Sequence, residues 1–152
     1  MSQIQYDLCP QGQVLQDFSD CRARNSFIMG PLGSGKTVQC ILKLLDLICE
    51  QEPVSDPEHK NYNKRLSRVI AARNTYSELF STTIKDWLEI HGELGDFKQG
   101  NKEPPTHFMR FNLEDGTEVE CDVVFIAFDR PEHVKKARGI QCTWVWLNET
   151  KE

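Results

Sequence analysis

The eight residues Gly30-Pro31-Leu32-Gly33-Ser34-Gly35-Lys36-Thr37 constrain this chain more than anything else in it. They match the spacing G-x-x-x-x-G-K-[ST] and lie between a short apolar run, Ser26 to Met29, and the segment VQCILKLLDLICE. In that segment Val38, Ile41, Leu42, Leu45 and Ile48 recur at intervals of three and four, which predicts a helix with one broad apolar face. The expected local structure is a strand, a glycine-rich turn and a helix. Gly30, Gly33 and Gly35 let the backbone curl until successive N–H groups converge, and the helix N-terminus adds partial positive charge. An anion site follows from that geometry. Lys36 would reach the β- and γ-phosphates of a nucleotide, and the hydroxyl of Thr37 would take a coordination position on Mg²⁺.

Downstream, the polar stretch QEPVSDPEHKNYNK reads as a loop, and Leu66 to Ala72 reads as a buried strand. Ser77 to His91 carries Leu79, Phe80, Ile84, Trp87, Leu88 and Ile90 at helical spacing, with Ser77 as the expected N-cap. GELGDFKQGNKEPP is read as a loop. THFMRFNL and EVECDVVFIAF flank an Asp-Gly turn, a hairpin signal. PEHVKKARG is expected as a short helix, and CTWVWL as a last apolar strand ending on Asn148 and Glu149.

Nucleotide hydrolysis needs a carboxylate at the end of a neighbouring strand, and Trp144 to Glu149 has the shape of a Walker B segment. Asn148 stands where an aspartate usually helps hold the metal. Its amide can accept through the carbonyl oxygen or orient a metal-bound water, but it brings no charge. Glu149 is the residue expected to orient and activate the attacking water.

Four segments, GPLGSGKT, ARNTYSELFSTTIKDWL, FIAFDRPEHVKKARG and CTWVWLNE, together resemble the ATPase domain of tailed-phage terminase large subunits, the podophage-like branch in particular. The resemblance spans nearly the whole chain from about Pro10. It implies an α/β fold of the P-loop NTPase type, a mostly parallel sheet with flanking helices and an inserted β-hairpin. It also implies an ATP hydrolase that drives viral DNA into a procapsid. ATP and Mg²⁺ are the implied ligands. The implied partners are double-stranded DNA, a portal protein and a small terminase subunit, with the full-length chains forming a homo-oligomeric ring. Its implied place is the bacterial host cytoplasm, with no membrane involved.

Residue by residue, the resemblance gives an adenine-contacting glutamine at Gln13 or Gln11, Gln13 being preferred. It gives Arg138, eleven residues before Glu149, as an arginine presented to a neighbouring subunit's γ-phosphate. The other reading of Arg138 is a solvated basic cluster with Lys135 and Lys136 capping a short helix. Arg73 and Arg130 are secondary phosphate candidates, and Arg73 could instead anchor a loop. Proteins of this kind place the neighbours of the P-loop strand after Walker B. Residues 1–152 are therefore read as the N-terminal part of an ATPase domain, ending after the Walker B strand, with the remaining ATPase strands and the nuclease domain absent.

Composition narrows the alternatives. With 152 residues, one modest core is expected. A charged fraction of 27% beside eight Phe, three Trp and three Tyr argues against disorder. The 18 Lys and Arg against 23 Asp and Glu leave a net charge of −5, so any nucleic-acid contact must be local or come from elsewhere. The six Cys and four His show no zinc-ligand spacing, and MSQIQYDLCPQGQ lacks a charged region followed by an apolar run, so reduced thiols in a cytoplasm are expected. A second reading is a truncated nucleotide-binding or interaction module without turnover, completed by a separate chain. A small kinase is a third, disfavoured because nothing resembles an acceptor site or a lid.

Overall fold

The computed structural model describes residues 12–100, 103–129 and 131–149, in two compact units that meet between Leu45 and Asp46. In the first unit, helix α1 (Gln13–Asp20) leads through an irregular segment to the glycine-rich loop and helix α2 (Lys36–Cys49), which continues into the second unit. The segment after α1 is fixed by a buried lysine. The Lys43 ammonium donates to the carbonyls of Phe18 at 2.5 Å and Cys21 at 2.7 Å, and lies 4.3 Å from the centre of the Phe18 ring. Carbonyl oxygens and a π face both stabilise a desolvated cation.

The expected strand at Ser26 to Met29 does not form. These residues pair with no strand among the described residues, and Phe27 and Met29 are 87% and 90% exposed. A strand requires a partner for its backbone donors and acceptors, which an apolar run alone does not supply. Helix α2 does form, with Ile41, Leu44, Leu45 and Ile48 buried along one stripe.

The second unit is built on a five-stranded mixed sheet in the order β2-β3-β4-β1-β5. The strands are β1 (Lys64–Arg73), β2 (Gly95–Lys98), β3 (Thr106–Asn112), β4 (Glu118–Ala127) and β5 (Trp144–Leu147). β1 runs parallel to both β4 and β5, while β2–β3 and β3–β4 are antiparallel. The expected mostly parallel sheet is thus evenly mixed. The hairpin is also no insertion, because its second strand, β4, is the central strand that continues into parallel pairing with β1.

Helical residues 76–94 cover one face, in the order α3 (Tyr76–Glu78), a π-helical stretch (Leu79–Ile84), α4 (Lys85–His91) and a 3-10 turn (Gly92–Leu94). The N-cap is Thr75 rather than the expected Ser77: its side chain accepts from the Glu78 N–H. Trp87 is fully buried and centres this layer, with edge-on contacts to Phe125 and His91 and a tilted one to Trp146. On the other face Ile70, Ala72, Val124 and Ile126 meet Phe128, Ala137 and Ile140, where helix α5 (Pro131–Arg138) ends. Among the described residues no helix is long and apolar enough to cross a membrane.

Candidate functional site

The glycine-rich loop turns at two of its three glycines. Gly33 and Gly35 adopt φ of +73° and +79°, a left-handed conformation in which only glycine is unstrained. That alternation is what turns successive N–H groups inward. The first turn of α2 follows at once, with Gln39 N donating to Gly35 O at 2.9 Å. Lys36 folds over its own loop, its ammonium 2.5 Å from Pro31 O and 3.1 Å from the Ser34 hydroxyl, which itself donates to Pro31 O at 2.9 Å. Ser34, Lys36 and Thr37 are half-buried, whereas Gly30, Gly33 and Gly35 are exposed. The loop thus places two left-handed glycines and the Lys36 ammonium at the start of a 14-residue helix.

Gln13 opens α1 in the same unit. Its amide donates to Asp17 Oδ1 at 2.6 Å, one turn along its own helix, on an exposed surface. Gln11 and Arg130 lie outside the described residues.

The parallel strands of the second unit all end on one rim, where ligands bind in open α/β sheets. Arg73 ends β1 and Asn74 follows it, Asp129 follows β4, and Asn148 and Glu149 follow β5. The structure joins three of the candidate residues here. Arg73, only 8% exposed, donates from Nη2 to Glu149 Oε2 at 2.6 Å, and its Nε lies 3.7 Å from Glu78 Oε2. Asn74 Nδ2 donates to the Glu149 carbonyl at 3.3 Å, and Glu149 takes φ +49°, uncommon for a residue with a side chain. Asn148 is buried, and its Nδ2 donates to Thr83 Oγ1 at 3.0 Å, which leaves its carbonyl oxygen as the remaining acceptor. Arg138, the last residue of α5, is exposed.

Three contributors were not expected. Glu78 stands three residues after the N-cap, in a T-x-x-E pattern visible in the sequence, and its carboxylate accepts from the Thr75 hydroxyl. Thr83 and Asp129 carried no comparable signal: Thr83 meets Asn148 across 65 residues, and Asp129 Oδ2 accepts from Tyr76 N at 3.3 Å. Among the described residues no group of three or more His, Cys, Asp or Glu could hold a metal ion. A Mg²⁺ ion fits this chain only as one that arrives with phosphate oxygens, the usual arrangement for that ion. Comparison with family models, with curated proteins and with solved structures finds no match to this chain.

Proposed function

We propose that this chain binds and hydrolyses ATP and belongs to a motor that drives viral DNA into a procapsid. The observation that carries the nucleotide reading is the loop itself: left-handed Gly33 and Gly35 run directly into the N-terminus of a 14-residue helix with Lys36 above them. Lys36 and the loop N–H groups bind the β- and γ-phosphates. Thr37 would give its hydroxyl to Mg²⁺, whose charge would offset that of the phosphates, and the carbonyl oxygen of Asn148 is the acceptor that the second unit would offer a metal. Gln13 contacts adenine after giving up its bond to Asp17. Glu149 orients water for attack on the γ-phosphorus and takes its proton. Arg138 reaches the γ-phosphate of a neighbouring copy in a homo-oligomeric ring. DNA, a portal protein, a small terminase subunit and a bacterial cytoplasm complete the motor reading, which stands on the resemblance of the four quoted segments.

The test separates binding from turnover. Lys36→Ala removes a charge-assisted contact and should weaken Mg-ATP binding roughly 10- to 100-fold in a calorimetric titration. Glu149→Gln should keep the affinity and lose hydrolysis, because its task arises as water attacks. A folded Lys36→Ala chain with unchanged affinity removes the loop from the mechanism. Equal loss of binding and turnover in Glu149→Gln makes that residue structural.

A further inference from the structure

We propose that Lys43 is the clamp that holds helix α1 on the phosphate loop, and that through α1 it sets which nucleobase the site accepts. The proposal rests on the reading of the loop as a nucleotide site with Gln13 at the base. Lys43 is a positioning residue in it, acting through α1.

Helix α1 has little of its own to keep it folded. It is eight residues long, buries none of them, carries no basic residue and places Asp17 and Asp20 in its last turn. A helix that short is marginal in water, and carboxylates at its C-terminal end oppose its dipole. Its last carbonyls also need partners from outside the helix. The missing cation comes from α2. Lys43, only 6% exposed, donates to the carbonyls of Phe18 and Cys21 at 2.5 and 2.7 Å and lies over the Phe18 ring. Charge-assisted bonds to such carbonyls satisfy them and offset the negative end of the helix.

The same lysine is tied to the loop. Lys43 follows Lys36 by seven residues, about 20° short of two full turns, so both side chains leave one side of α2. At the first turn Lys36 folds over the loop, and α1 reaches the loop there as well: Leu15 Cδ1 stands 3.7 Å from where a Cβ would project on Gly35. Leu15 and Phe18 are three residues apart and share a face of α1. The helix is thus fastened at two points, Leu15 against the loop and Phe18 at Lys43, and Gln13 is carried on the turn that this face holds. The segment entering the loop is gathered at the same ammonium, since Lys43 Nζ lies 3.5 Å from Ser26 Oγ, which donates to Cys21 Sγ at 3.5 Å. Releasing α1 leaves Lys36 and Thr37 on the first turn of α2, so the base end of the site can be lost while the phosphate end stays.

Calorimetric titration of the full chain with Mg-ATP, Mg-GTP and magnesium tripolyphosphate reads the two ends apart. Adenine presents a donor at N6 where guanine presents an acceptor, and tripolyphosphate has no base. Lys43→Met keeps the length of the side chain and removes its charge. It should weaken ATP roughly tenfold, bring ATP and GTP within about twofold of each other and leave tripolyphosphate within about twofold of wild type. Lys43→Arg should recover part of the preference. An unchanged preference for ATP, or an equal loss of ATP and tripolyphosphate, overturns the proposal. If Lys43→Met does not fold, Phe18→Leu carries the test: it removes the ring beside the ammonium and should show the same split at smaller size, and its absence is equally decisive. Amide exchange without nucleotide reads the clamp itself. The Gln16 and Cys21 amides, bonded to the Gly12 and Asp17 carbonyls, should exchange roughly tenfold faster in Lys43→Met with β1 unchanged, and unchanged rates in α1 overturn the clamp. A wild-type chain that binds no tripolyphosphate defeats the nucleotide reading instead, and the exchange rates still decide whether Lys43 holds α1.

Discussion

His107 ties the fold to pH through one ring nitrogen. It is fully buried, and its Nδ1 accepts the indole N–H of Trp87 at 3.0 Å, a bond that an imidazolium cannot accept. Burial holds the His107 pKa below its ordinary value of 6.5, opposed by a backbone hydrogen bond at Gly95 and by the charge of Asp96. The unfolded chain therefore takes up this proton first. The stability that His107 contributes is complete above pH 6.5 and is lost as pH falls below it towards the depressed folded value. Leaving the Trp87 donor unpaired costs about 1–3 kcal/mol. Urea midpoints measured between pH 7.5 and 5 should fall in wild type and flatten in His107→Gln; a wild-type midpoint that does not move would sink this assignment. At the same scale, part of the candidate site was legible. Spacing identified Gly30 to Thr37, and a polar ending on an apolar strand identified Asn148 and Glu149. The partnership of Arg73, Glu78 and Glu149 was not legible, because it arises where the ends of β1 and β5 meet a helix start, and only strand register brings those residues together.

Among the elements, the π-helical stretch shows why periodicity gave the type of structure and missed its detail. Leu79, Thr83, Trp87 and His91 are all buried at a strict interval of four. Four residues of α-helix overshoot a full turn by about 40°, so such a series would drift off the covered face. Bonding from i to i+5 widens the turn between Leu79 and Ile84 and keeps the series aligned. Deleting the exposed Ser81 should convert this stretch to α-helix and rotate Leu79 away by about 100°. The expected loss is about 2–5 kcal/mol in chemical denaturation, as for removing a core leucine. A loss below about 1 kcal/mol would show that the wide turn is incidental. The other differences have similarly local reasons. β2 is only four residues long and begins at Gly95, where a Cβ would lie 2.0 Å from Phe108 O, so its pairing depends on a backbone approach that hydrophobic pattern does not encode. Ser26 to Met29 had the pattern of a strand and found no ladder. β1, β3, β4, β5, α2 and α5 were all legible, since each carries its own period or its own turn.

At the scale of the molecule, the sheet of the second unit ends, among the described residues, on β2 and β5. β5 carries no charge, and Val145 and Leu147 are each 54% exposed along it. An apolar, unpaired edge invites strands from other chains, and a lysine on it is the usual remedy. Sedimentation velocity should show concentration-dependent association of the wild-type chain and its suppression by Val145→Lys at nearly unchanged stability. Equal association in both would place the contact elsewhere. Along β1 and β4, opposite residues on one face read Lys64 with Glu118, Leu66 with Glu120 and Arg68 with Asp122, then Ile70 with Val124 and Ala72 with Ile126. The first half is laced by ion pairs, including Lys64 to Glu118 at 3.2 Å and Arg110 to Asp122 at 3.0 Å, and the second half is apolar. Because these strands are parallel, every one of them starts at the charged end and finishes at the rim that holds Arg73 and Glu149. Salt weakens the first end and leaves apolar packing at the second intact. Ionic strength and a ligand on the rim therefore act as two separate handles on one sheet: the first frees the strands where they begin, and the second grips them where they end.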